Sequence, residues 1–197
     1  MLKTVLRALS ACTCVLSMGP ALASGFIDDS HADLVMRNYY FDRNYVNATP
    51  QAAAREWAQG FILNLRSGYT EGPVGFGLDA QGLLGVRLDS SRARTGTGLL
   101  PYNATTREPA DEYSELGLTA KVRASKSELQ LGTISTFLPI AFASPTRLLP
   151  QTFRGAYLKS QDIDQLTLHV GWLDRINLRD STDYQKMSVG SPNGRFN

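Results

Sequence analysis

Seven charged side chains of this chain recur at even separations inside stretches that are otherwise half apolar. Asp79 and Arg87 share one such stretch, and Glu115, Lys121 and Arg123 share another. Arg66 and Glu128 fall in two more. Side chains on a β-strand point alternately to opposite faces, so even spacing puts the charges of a stretch on one face. A wet face lined with fixed charges makes no bonds. It attracts and sorts charged solutes by stabilising one sign of charge while holding each solute weakly enough to release it.

Bond-making chemistry has little support. Gly75-Phe76-Gly77 and Gly96-Thr97-Gly98 do not complete a nucleotide-binding fingerprint, and no strand–helix unit follows either. His31 and His169 have no cysteine or acidic cluster at ligand spacing, so His169 reads as a water-facing or interface histidine. No nucleophile elbow is present. The expectation is therefore no catalytic residue, no metal and no cofactor. The sequons at Asn47 and Asn103 mark surface loops, and Asp28, Asp29, Asp162 and Asp164 read as solvated turn residues.

The element carrying Asp79 and Arg87 is the most informative. In VGFGLDAQGLLGVRLD, Val74, Phe76, Leu78, Ala80, Leu84, Val86 and Leu88 fall on one parity, with Leu83 the only large apolar residue on the other. One strand of this length reaches roughly 50 Å, whereas ordinary globular strands have about 5–6 residues. Six further stretches read as strands: 33–43, 55–68, 113–124, 127–137, 153–158 and 166–177. The register of the first is ambiguous because aromatics occupy both parities. Helical periodicity is confined to a short turn over 51–56. Long connections (44–54, 90–112, 138–152) alternate with short ones (69–73, 125–126, 159–165). An up-and-down meander therefore has long loops at one end and tight turns at the other, the pattern of outer-membrane barrels.

Composition bounds the alternatives. The 197 residues suffice for one sizeable domain. Residues 1–23 have a basic start at Lys3 and Arg7, an apolar centre and an Ala21-Leu22-Ala23 cleavage site, as in a secretory signal peptide. Both cysteines, Cys12 and Cys14, lie within it, so the mature chain would have no disulfide. Lys3 and Arg7 are two of the 20 basic residues, and the remainder balance the 18 acids. No basic block points to a nucleic-acid partner. No later apolar run is long enough for a spanning helix, which leaves a spanning barrel open. A secreted soluble β-sandwich or barrel that binds a ligand is the alternative. It would bury its apolar face against a second sheet, whereas a barrel in a membrane would turn that face to lipid.

At SGFIDDSHADLVMRNYYFDR (24–43) the chain resembles the start of the OprD family of substrate-specific outer-membrane porins. The resemblance continues through KVRASKSELQLGTI (121–134), RLLPQTFRGAYL (147–158) and GWLDRINLRDST (171–182). It implies an all-β, antiparallel, up-and-down transmembrane barrel of the Gram-negative outer membrane, 18-stranded and monomeric, within the range of known outer-membrane barrels. It also implies assembly by outer-membrane machinery and passive uptake of basic amino acids, small peptides or carboxylates. The third external loop of the family folds inward as a constriction. It corresponds here to 138–152, which makes Ser144 and Arg147 constriction neighbours. Arg66, Asp79, Arg87, Glu115, Lys121, Arg123 and Glu128 would line the water-filled side. Family members are about twice as long. Residues 24–197 would thus supply about seven N-terminal strands as an open curved sheet ending in an external loop, as in a fragment or a truncated, non-functional product.

Overall fold

The structure, a computed structural model, describes residues 24–46 and 51–187. A single turn of helix, α1 (Ser24–Asp28), precedes β1 (His31–Asn44), β2 (Ala53–Arg66), β3 (Val74–Asp89), β4 (Glu112–Ala124) and β5 (Ser127–Ile134). A small hairpin follows, β6 (Phe137–Leu138) and β7 (Ala141–Phe142), and then β8 (Thr152–Ser160), β9 (Leu168–Asn177) and β10 (Tyr184–Lys186). Eight strands form one sheet in the order β1-β2-β3-β4-β5-β8-β9-β10, all neighbours antiparallel, with β1 and β10 at its edges.

The seven long strands fall where alternation placed them, and the antiparallel all-β architecture is the one expected. Two elements differ. Residues 51–56 form no helix, because β2 begins at Ala53 and pairs Ala53 with Asn44. Partner-strand hydrogen bonds overrode a weak local helical preference there. The segment after β9 also contains an eighth short strand, β10, paired through Tyr184 with Asn177 and through Lys186 with Arg175. The expected leader, the Asn47 sequon and the chain beyond Met187 lie outside the described residues.

The two faces of the sheet are inverted relative to a soluble sandwich. Phe76, Leu78, Leu63, Leu65, Leu116, Leu118, Val170 and Trp172 are exposed, each on the apolar parity of its strand. They sit side by side across the ladder, as in Leu65–Ala80–Leu118. The opposite face is the covered one. Ala58, Ile62, Leu83 and Tyr113 are buried there against Leu99 and Leu100 of the 90–111 loop and Leu148 and Leu149 of the 135–151 connection. Leu83, the odd residue on the polar parity, is an anchor for those loops. Burying apolar surface normally drives a sheet to cover its apolar face. Here the loops cover the polar one, and the apolar face stays bare.

The long loops, 90–111 and 135–151, leave from the same end of the sheet, and the short connections 67–73, 125–126 and 161–167 from the other. At the short end Ser125 takes a positive φ of 53°, as a two-residue hairpin turn requires. Asp162 accepts from the Lys126 amide at 2.9 Å and from the Ser127 hydroxyl. Those donors, the Ser127 hydroxyl first, hold its carboxyl down at about 2, well below the ordinary range.

Candidate functional site: the loop-covered face

The covered face carries a polar row across three strands. Asp33 on β1 accepts from the Asn64 amide (2.7 Å), and Asn64 accepts from Gln81 (2.8 Å). A small cavity of about 150 Å³ opens beside them, lined among others by Arg66, Asp79, Gln81, Thr119 and Gln130. Arg66 and Asp79 face each other across β2 and β3. Arg66 is exposed, and among the described residues it makes no ion pair.

Lys121 is the most constrained charge. Its side chain is only 8 % exposed. The ammonium lies 2.7 Å from Asp79, donates at 2.7 Å to the Ser67 carbonyl and stands 4.8 Å from the Tyr69 ring centre. Gly77 makes this possible, since a Cβ there would collide with the lysine stem. Arg123 lies on the Tyr69 ring at 4.2 Å with its head exposed. Glu128, its register partner, accepts from the Tyr69 hydroxyl at 2.5 Å and from Gln130 at 2.6 Å. Burial first, and then the Glu128 carboxylate, push the Tyr69 hydroxyl's pKa up and keep it protonated as a donor.

The covered face therefore brings Asp79, Lys121, Arg123 and Glu128 into one cluster around Tyr69 near the short turns. Within it Lys121 is a buried tether, while Arg123 keeps a wet head. Breaking a buried pair by removing one partner costs about 3–5 kcal/mol. Asp79 keeps 23 % exposure, so Lys121→Met is expected to cost about 2–3 kcal/mol. Urea unfolding of these strands within a closed barrel in micelles, followed by tryptophan emission, checks this; an unchanged midpoint would show that the pair is incidental.

Arg87 and Glu115 stand nearer the long loops. Arg87 donates to the Pro109 carbonyl at 3.1 Å and pairs with Asp111, so it ties down the end of the 90–111 loop. Glu115 is saturated by the Thr152 hydroxyl (2.7 Å), the Asn177 amide (2.7 Å) and the Tyr184 hydroxyl. Both charges are structural ties.

The 138–152 segment crosses the covered face. Gly60 lets it approach, because a Cβ there would lie 3.0 Å from Leu148. Ser144 shares a hydrogen bond with the Thr146 hydroxyl (2.9 Å). Arg147 donates its Nε to the Thr97 carbonyl (3.3 Å), and its guanidinium carbon sits 5.1 Å over the Phe41 ring. Thr97 is anchored in turn. Glu56, fully buried, accepts from the Thr97 amide at 3.0 Å, from the Thr97 hydroxyl and from Ser90 at 3.1 Å.

Sequence reading missed Glu56 and the β1 row of Arg37, Tyr39 and Phe41. Glu56 stood in the segment read as a helical turn. The β1 row was hidden because Tyr39, Tyr40 and Phe41 put aromatics on both parities. Pairing resolves them: Phe41 lies opposite Glu56 and Tyr39 opposite the buried Ala58. An arginine two residues before Tyr39 on the same parity was the available signal.

Comparison with known proteins gives a consistent result. The model of a family of outer membrane porins, the OprD family, matches residues 24–196. The chain is 42 % identical over 169 residues to the porin-like protein GalP of Pseudomonas putida, an alignment covering 86 % of this chain and 41 % of GalP. The crystal structure of Pseudomonas aeruginosa OccK9 (OpdG) superposes with a TM-score of 0.83 at 45 % identity, covering 87 % of this chain and 44 % of OccK9. That of Pseudomonas aeruginosa OpdK with vanillate gives 0.73 at 45 % identity, covering 82 % and 40 %. The chain thus spans less than half the length of these relatives.

Proposed function

This chain belongs to the OprD family of outer membrane porins, and we propose that its sheet is part of the wall of a water-filled channel for small polar solutes, with the 138–152 loop as its constriction. The observation that carries the reading is the inversion of the two faces. A bare apolar face suits lipid, and a charged face crossed by a tethered loop suits a narrow aqueous path. The soluble-sandwich alternative requires the apolar face to be covered, and it is bare.

Residues 1–23 act as the export signal in this reading, the long loops face the exterior, and assembly machinery inserts a monomeric barrel. The solutes are small charged molecules, the family resemblance favouring basic amino acids, small peptides or carboxylates. OpdK, a structural relative, was crystallised with vanillate, itself a small carboxylate. Arg66, Arg123, Ser144 and Arg147 are the expected residues that meet solute. Asp79, Arg87, Glu115, Lys121 and Glu128 shape the wall through the ties described above.

Single cysteines test the wall, introduced into the chain joined to the remaining strands of GalP and assembled in outer membranes. A water-soluble thiol reagent should label positions 79, 81 and 87 and leave 76, 78, 84 and 86 unlabelled. Labelling on the Phe76 parity would sink the assignment of faces. The constriction has its own test in the same pore. Arg147→Gln should lower the flux of small carboxylates about fivefold, the worth of roughly 1 kcal/mol for one unscreened contact in water. Equal flux in liposome swelling would remove Arg147 from the constriction.

A further inference from the structure

Three consecutive peptide carbonyls of the crossing loop are taken up by side chains of one strand. Arg37 donates through Nη1 to the Pro145 carbonyl and to the Arg147 carbonyl, both at 3.1 Å. Tyr39 donates its hydroxyl to the Thr146 carbonyl, between them, at 3.4 Å. Phe41, next on the same parity, lies under the Arg147 guanidinium. Tyr39 and Phe41 stack with ring centres 6.5 Å apart, which stiffens the row.

A guanidinium is costly to hold in one place, and it is ordinarily held by a carboxylate. Among the described residues no acid pairs with Arg37; loop carbonyls alone hold it. Its cross-strand partner is Gly60, the position that lets Leu148 approach the wall. So the loop descends onto the wall at the height where Arg37 meets its backbone. Pinning the carbonyls of Thr146 (by Tyr39) and Arg147 (by Arg37) fixes the peptide planes on both sides of the Arg147 Cα. The Arg147 side chain then leaves the backbone in a single direction, over Phe41.

We infer that Arg37, assisted by Tyr39, is the positioning residue of the constriction: it sets the depth of the loop and aims Arg147. This rests on the reading of 138–152 as the constriction. The inference predicts that selectivity depends on a side chain whose role is to aim another, and that lysine at 37 restores part of it by donating to one carbonyl.

The first test uses the pore completed with the GalP strands, in detergent micelles, with a nitroxide on Ser144→Cys and, separately, on Thr106→Cys in the other long loop. Arg37→Gln should mobilise the label at 144 and leave that at 106 unchanged. Arg37→Lys should be intermediate, and Lys126→Gln at the far end should change neither. An immobile label at 144 in Arg37→Gln overturns the proposal. If both labels loosen, the fold itself is lost, and Tyr39→Phe, which removes only the Thr146 bond, decides in the same way. The second test measures reversal potentials in the pore completed with the GalP strands. Arg37→Gln should lower the ratio of anion to cation permeability about fivefold, with partial recovery in Arg37→Lys. A pore that conducts with unchanged selectivity refutes the positioning role, whereas absence of any conductance in the parent pore refutes the porin reading.

Discussion

The 197-residue chain, expressed alone and added to planar bilayers, is expected to give no steady single-channel current. Its sheet ends at β1 and at β10, and neither edge is paired among the described residues. About half of the fourteen residues of β1 turn both their N–H and their C=O to the open side. Within hydrocarbon each such group lacks a partner at a cost of several kcal/mol, which is why only closed barrels cross membranes as strands. The summed penalty far exceeds the roughly 5–15 kcal/mol of a folded domain's stability. Joining the same residues to the remaining strands of a full-length relative should restore conductance. Reproducible unitary currents from the chain alone would overturn this and would mean that several copies complete one barrel.

The second large effect separates two neighbouring residues. Ala80 lies on the bare face near the middle of the apolar belt, opposite Leu65 and Leu118, while Gln81 lies on the covered face beside Asn64. An arginine at the lipid-facing midplane of a barrel costs about 2–4 kcal/mol, and a lumen-facing substitution costs little. Ala80→Arg should therefore lower the folded fraction in lipid vesicles by roughly 30-fold or more, from about 2 kcal/mol upward. Gln81→Arg gives up its hydrogen bond with Asn64, worth about 1 kcal/mol, beside a cavity that can take the new head. Folding of the completed barrel, followed by gel mobility before and after heating, measures both. Equal losses at the two positions would show that both sides of β3 are equally wet or equally dry.

Both expectations start from information that a strand carries locally. Alternation along Val74–Asp89 told the apolar face from the polar one, because the side-chain period of two is a property of one strand. The same periodicity located seven strands, and the connection lengths sorted the two ends of the sheet. The resemblance in 24–43, 121–134, 147–158 and 171–182 supplied the family, which the match over residues 24–196 shows. Even spacing also placed the charges on one face, since Asp79, Glu115, Lys121 and Glu128 all lie on the covered side.

What alternation could not reveal was which of those charges remain free, because that depends on partners remote in the chain. Lys121 looks like Arg123 in sequence, yet the Ser67 carbonyl and Asp79 bury the first and Tyr69 leaves the second wet. Arg87 looks equally free in sequence, yet Asp111, at the end of a long loop, pairs with it. The register of β1 was equally out of reach, since aromatics at Tyr39, Tyr40 and Phe41 satisfy either parity until β2 pairs with them. Nor could a local pattern show Glu56 under the 90–111 loop, or Arg37 beneath the carbonyls of a loop more than a hundred residues later. The sequence by itself determined the strands, their two faces and the family, all set by period and motif. Only the tertiary structure decided which charges are tethered and where the crossing loop is pinned, because hydrogen bonds between distant segments leave no period in the chain.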